Sequence, residues 1–170
     1  MTALDAGALV SAAVACVIDV RSARIPNVLT VASLTAAVAA HIFAPAGQGP
    51  GAAAGGALTG LAMFFPLFAL GGLGGGDVKL MAALGAWLGW RQAVWLALYT
   101  AIAGGVLALV WSVAHGYLRQ AFANLRALGA FWLVAGVRPL PALSLADGRG
   151  PRLPYAVPIL AGLVVTIWRQ

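Results

Sequence analysis

The sequence predicts an all-α fold: a polytopic membrane protein with about six transmembrane helices in one bundle. Two observations carry this. Of the 170 residues, 62% are hydrophobic and only 8% are charged, where a soluble domain carries about 25% charged residues. Apolar stretches of about 18 residues or more also recur along the chain, the length needed to cross a hydrocarbon core. Residues 1–170 are then expected to form a single membrane-embedded domain, with a cytoplasmic connection at about 115–153.

The first segment spans about Leu4 to Val20. It has no basic start, and Asp5 is its only early charge, so its pattern is that of a retained helix and not of a removable signal peptide. The second spans about Val28 to Phe43, with Asn27 as the expected N-cap. The third, Ala52 to Leu70, is rich in Gly and Ala and suited to close approach by a neighbour. The fourth, Val78 to Trp90, is short: about thirteen residues cover only about 20 Å. The fifth runs from Ala93 to about Ala114 and the sixth from Pro154 to Trp168. Between them, "AFANLRALGAFWLVAGV" has an apolar core too short to span and flanking arginines. That pattern fits an interfacial helix or an extension of the fifth helix.

Charge placement orients the bundle. With the N-terminus outside, the inner side holds Arg21, Arg24, Lys79, Arg119, Arg126, Arg138, Arg149 and Arg152. The outer side holds only Arg91 and Arg169. Lys and Arg collect on the cytoplasmic side, so the net charge of +6 reads as orientation and lipid contact, and no nucleic-acid partner is expected. Trp87, Trp90, Trp95, Trp111 and Trp168 fall near span ends and are expected mostly to anchor the interface. His41 and His115 are expected to be interfacial too.

Few residues have reactive chemistry. The single Cys16 excludes a disulfide framework within one chain and a cysteine-based zinc site. No cluster of ligand residues is apparent, so neither a metal nor a cofactor is expected. There are four acids. Asp5 suits an N-cap, and Asp147, in "LADGRG", suits a solvated turn. Asp19 ends the apolar run "SAAVACVIDV", and Asp77 follows the glycines of "GGLGGGDVKL". The topology brings both to one membrane face, where ionisable groups are costly and mark function by default. Two readings carry equal weight from composition. Asp19 pairs with Arg21 or Arg24 and Asp77 with Lys79, or the two carboxylates form a proton-sharing pair able to hydrolyse an amide.

The stretch "DVRSARIPN" (Asp19 to Asn27) resembles the first-aspartate signature of the type IV prepilin peptidases. "GGGDVKLMAALGAWLG" resembles their second, a G-x-G-D motif followed by Lys-Leu and spaced glycines, and "LPYAVPILAG" (Leu153 to Gly162) is similar to their proline-containing last helix. The matches come in family order and cover essentially the whole chain. The resemblance implies a multi-pass aspartic endopeptidase of the bacterial inner membrane that removes the leader of prepilins and pseudopilins at the cytoplasmic face. Asp19 and Asp77 take the catalytic positions, and Gly74 and Gly76 are the motif glycines. Lys79, Arg24, Pro26 and Asn27 fall on supporting positions: Pro26 breaks the chain, Asn27 caps a helix, and Lys79 either assists the pair or substrate or simply snorkels. The long members carry a paired-cysteine region linked to N-methylation, and nothing here corresponds to it. The chain therefore resembles the short form found with tight-adherence (Flp-type) pili, implying cleavage without methyl transfer. Archaeal preflagellin peptidases share the motifs. The presenilin and signal-peptide-peptidase group shares G-x-G-D, but has a tyrosine before its first aspartate where Ile18 stands here, and Pro141-Ala142-Leu143 lies in a polar loop. The alternative from another class is a non-enzymatic scaffold or small transporter of a pilus or secretion system.

Overall fold

A computed structural model describes residues 1–44, 46–136, 138 and 154–169. Asp147, Arg149, Arg152 and Pro141-Ala142-Leu143 lie outside the described residues. Among the described residues the regular structure is entirely helical, as the apolar pattern predicts.

Helix α1 (Ala3–Ser22) begins at Thr2. The Thr2 hydroxyl accepts the Asp5 N–H at 3.2 Å, and the Asp5 carboxylate accepts the Thr2 N–H at 2.6 Å. This is a reciprocal capping box, so Asp5 is not the N-cap but its partner one turn on. The helix stops at Ala23, whose backbone is left-handed (φ 51°) and whose N–H returns to the Asp19 carbonyl at 2.7 Å. The buried face of α1 is Leu4, Ala8, Ala12, Ala15 and Asp19. That is the spacing of one helical stripe, and the aspartate completes a row of small residues.

Helix α2 (Asn27–Phe43) has Pro26 as its N-cap, in extended conformation and without a side-chain cap bond. The expected cap, Asn27, is instead the first helical residue, and its side chain is engaged elsewhere. The buried stripe of α2 is Thr30, Ser33, Ala37 and His41, polar inward with Val28, Val31 and Leu34 outward. Outward apolar and inward polar side chains suit a helix bounded by lipid.

Helix α3 (Pro50–Ala69) starts with proline at its first position and buries Ala53, Gly56, Gly60 and Phe64. Helix α4 (Gly75–Leu88) is only fourteen residues, yet it buries Val78, Leu80, Met81, Ala83, Leu84, Gly85, Ala86 and Trp87. A helix apolar and buried on nearly every side occupies the centre of its bundle. Helices α5 (Trp90–Ala114), α6 (Leu118–Ala135) and α7 (Ala156–Trp168) complete the chain. The ring α2, α3, α5, α7, α1 closes by neighbour contacts, and α4 packs against α1, α2, α3 and α5 inside it. Of the helices, α1, α3 and α5 are long and apolar enough to cross a membrane outright, and α2 and α7 are shorter apolar helices.

The α3–α4 seam explains several glycines. A Cβ on Gly56 would meet the Gly85 carbonyl, one on Gly85 the Gly56 carbonyl, and one on Gly60 the Met81 carbonyl. The two backbones touch there, which only residues without a side chain permit.

Two expectations are corrected. His41 is buried: its Nδ1 lies 3.3 Å from the Gln48 backbone nitrogen, and its Nε2 lies 3.3 Å from the Trp87 carbonyl. The amide N–H can only donate, so Nδ1 accepts and Nε2 donates. Trp87 is likewise no interface anchor. It is buried, its ring lies against Gly7, and its indole N–H donates to the Ser33 hydroxyl at 3.0 Å. By contrast Trp90 and Trp168 are exposed, and His115 is exposed and stacked on Trp111.

Candidate active site

Helix α1 ends and helix α4 begins at the same end of the bundle, because two passes, α2 and α3, separate them and α1 and α4 pack together. Asp19 lies in the last turn of α1 and Asp77 in the first turn of α4. Asp19 is 8% exposed, while Asp77 is half-buried. The two carboxylates lie within electrostatic reach of one another.

Each lies against backbone. One Asp19 carboxylate oxygen accepts the N–H of Ala156 at 3.2 Å, in a buried contact. Ala156 is the first residue of α7, so this N–H is one of the donors a helix start leaves free. The Asp77 carboxylate sits over the preceding loop: a Cβ on Gly74 would come 3.0 Å from its oxygen. Gly74 is the N-cap of α4, and its carbonyl accepts the Asp77 N–H at 3.2 Å. Gly76 faces the other way. A Cβ there would come 3.1 Å from the Ile25 side chain, so the glycine lets the buried Ile25 wedge in beside α4.

The ion-pair reading of the aspartates finds no support. Among the described residues, neither aspartate accepts a hydrogen bond from a lysine or arginine side chain. Lys79 turns to Asn27 instead, its Nζ donating to the amide oxygen at 2.9 Å. This ties the start of α2 to the start of α4. Arg24 and Pro26 are exposed. The Arg24 carbonyl accepts the Ser22 hydroxyl at 3.1 Å, and Pro26 caps α2. Of the residues expected at the site, then, Asp19, Asp77, Gly74 and Gly76 lie together at the end of the bundle where α1 stops and α4 starts. Lys79 and Asn27 form a bridge at its rim, and Arg24 and Pro26 shape the chain between α1 and α2.

Tyr155 was not among the expected site residues, although it stands in the quoted "LPYAVPILAG". It lies within electrostatic reach of Asp77. Its ring meets Phe64 edge-on at 6.4 Å, and its hydroxyl fills the space over Gly104, where a Cβ would come within 2.5 Å. Tyr155 therefore fixes where α7 starts, and the start of α7 holds Asp19. Among the described residues no three His, Cys, Asp or Glu side chains come together.

Known proteins resemble this chain over much of its length. Residues 7–109 match the type IV leader peptidase family. The prepilin leader peptidase/N-methyltransferase of Dickeya chrysanthemi is 33% identical over 129 residues, covering 72% of this chain and 44% of that protein. The protein of the same description from Burkholderia pseudomallei (strain 1026b) is 36% identical over 100 residues, 55% of this chain and 32% of that one. The one from Pectobacterium carotovorum subsp. carotovorum is 43% identical over 65 residues, 38% of this chain and 22% of that one. The chain thus spans less than half the length of each of these relatives. No solved structure matches it. The matched region contains both aspartates, the glycine loop and the α1–α2 corner, and by that match the chain belongs to the type IV leader peptidase family.

Proposed function

We propose that this protein is a membrane aspartic endopeptidase that removes the leader from type IV prepilin-like proteins, with Asp19 and Asp77 as its water-activating pair. The observation that carries this reading is the convergence of two carboxylates from opposite ends of α1 and α4, both free of basic side-chain partners among the described residues, with Asp19 held by the Ala156 N–H and Asp77 set against the Gly74 loop. Membership of the leader peptidase family supports the substrate class.

The chemistry follows from the pair. One carboxylate takes a proton from water as the oxygen attacks the scissile carbonyl carbon, and the protonated partner donates to the carbonyl oxygen. Collapse of the tetrahedral species breaks the C–N bond, and a proton passes to the departing amine. The Ala156 N–H orients Asp19. The glycines before Asp77 leave room beside its carboxylate for a peptide backbone and water.

A prepilin joins a basic leader to a long apolar helix. With the helix in the bilayer against the bundle, the junction falls at the level of Asp19 and Asp77. The charge distribution supports placing that end at the cytoplasmic face of a bacterial inner membrane. The proposed reaction is the hydrolysis alone.

The test replaces Asp19 and Asp77 singly with asparagine and follows leader removal from a co-expressed prepilin by immunoblot. Each change is expected to slow processing at least about a hundredfold, the scale of a lost acid or base, with normal amounts of protein in the membrane. Continued processing by either variant sinks the pair mechanism. A scaffold or transporter would show loss of the protein or its complex in place of loss of cleavage.

A further inference from the structure

The end of the bundle opposite Asp19 and Asp77 carries a second cluster, built on α5 and the end of α7. Helices α5 and α7 run antiparallel there, and Arg169 follows the last residue of α7. Its guanidinium carbon lies 4.5 Å from the centre of the Trp95 ring, and one of its N–H groups donates to the Tyr99 hydroxyl. Trp95 and Tyr99, one turn apart, stack on each other at 5.9 Å and 23°. These three residues, with Gln92 and Thr166, line a cavity of about 150 Å³. The Thr166 hydroxyl is already committed to the Gly162 carbonyl at 2.7 Å.

A guanidinium has five N–H donors in a planar fork. Stacking on Trp95 occupies its face and Tyr99 accepts from one N–H, which leaves edge donors of a cation held in place. The described carboxylates lie elsewhere: Asp5 is committed to its capping box, and Asp19 and Asp77 are at the other end. A fixed guanidinium edge over a small polar cavity matches the oxygens of a phosphate. The surface beside it is apolar. Leu98 and Ile102 share the Trp95–Tyr99 face of α5 and are 45% and 55% exposed, and Val165 on α7 is 41% exposed. A phosphate group followed by hydrocarbon is the chemistry of a phospholipid.

We propose that Gln92, Trp95, Tyr99 and Arg169 bind the headgroup phosphate of an anionic phospholipid in the leaflet opposite the aspartates, with its acyl chains along Leu98 and Ile102. This site stands independently of the peptidase reading. The occupant pins the far ends of α5 and α7 together.

Native mass spectrometry of the full chain in detergent tests it, with phosphatidylglycerol, phosphatidylcholine and inorganic phosphate as probes. The protein is expected to retain phosphatidylglycerol over phosphatidylcholine. Arg169→Gln is expected to lose one bound phosphatidylglycerol per chain, with an affinity for that molecule lower by about tenfold or more. Tyr99→Phe should retain it more weakly, with lipid-free thermal unfolding of both variants unchanged. An unaltered lipid count in Arg169→Gln overturns the site. Equal retention of the two lipids overturns its charge basis. Displacement of the lipid by millimolar inorganic phosphate overturns the assignment to a lipid.

Discussion

At the scale of single residues, the site depends on what each aspartate touches more than on its identity. Asp19 is held by a backbone N–H from a helix that begins 137 residues later, and Lys79 reaches 52 residues back to Asn27. The lysine bridge is exposed and joins an ammonium to a neutral amide, so it is worth about 1 kcal/mol at most. Asn27→Ala and Lys79→Ala are each expected to cost up to about 1 kcal/mol, and the double variant no more than the larger single change. Thermal unfolding of the four proteins in detergent checks this, and additive losses would dissolve the bridge. The aspartates themselves were legible in the sequence, because a carboxylate in so apolar a chain is costly and only two lie at span ends on one face. Their partners were not. A backbone donor has no letter of its own, so nothing in "LPYAVP" announces that Ala156 meets Asp19. His41 and Trp87 misled for a related reason: their types favour interfaces, but Ser33 and Gln48 satisfy them inside.

At the scale of elements, the sequence marks α4 as a short span, and its shortness has a structural counterpart. It is the central helix, and four others pack against it. Hydropathy gives a segment's length and polarity but no neighbours, so centrality was invisible until the glycines of α3 and α4 met. The start of α7 is set by a different contact, the Tyr155 hydroxyl over Gly104. A side chain at position 104 cannot share that space, so the Tyr155 ring must give way and its hold on the start of α7 is disturbed. Gly104→Val is therefore expected to slow leader cleavage by about ten- to a hundredfold, since misplacing a catalytic group by about 1 Å costs on that order. Pairing it with Gly105→Val separates mechanism from helix propensity, because position 105 has open space around it. Cleavage by Gly104→Val equal to that by Gly105→Val would remove Tyr155 from the account of Asp19.

At the scale of the whole molecule, the bundle is polarised. The end that carries the aspartates also carries Arg21, Arg24 and Lys79, and α6, which follows α5 at that end, adds Arg119 and Arg126. The opposite end has Arg91 and Arg169. Among the described residues of α6 none is buried, and it exposes Phe122 and Leu125 between its arginines and Leu133 beyond them, as expected of a helix lying on an anionic membrane surface. Each basic residue near such a surface contributes about 1 kcal/mol, so the asymmetry favours one orientation by several times that amount. The predicted orientation puts α6 and the aspartates in the cytoplasm and the α2–α3 connection outside. It is checked in a Cys16→Ala background with single cysteines at two exposed glutamines, Gln48 in the α2–α3 connection and Gln120 on α6. A membrane-impermeant maleimide added to cells with a permeable outer membrane is expected to label Gln48→Cys. Gln120→Cys should be labelled only after the inner membrane is opened. The reverse pattern would put the aspartates outside, where a leader still in the cytoplasm cannot reach them, and the proposed substrate would fall with the orientation.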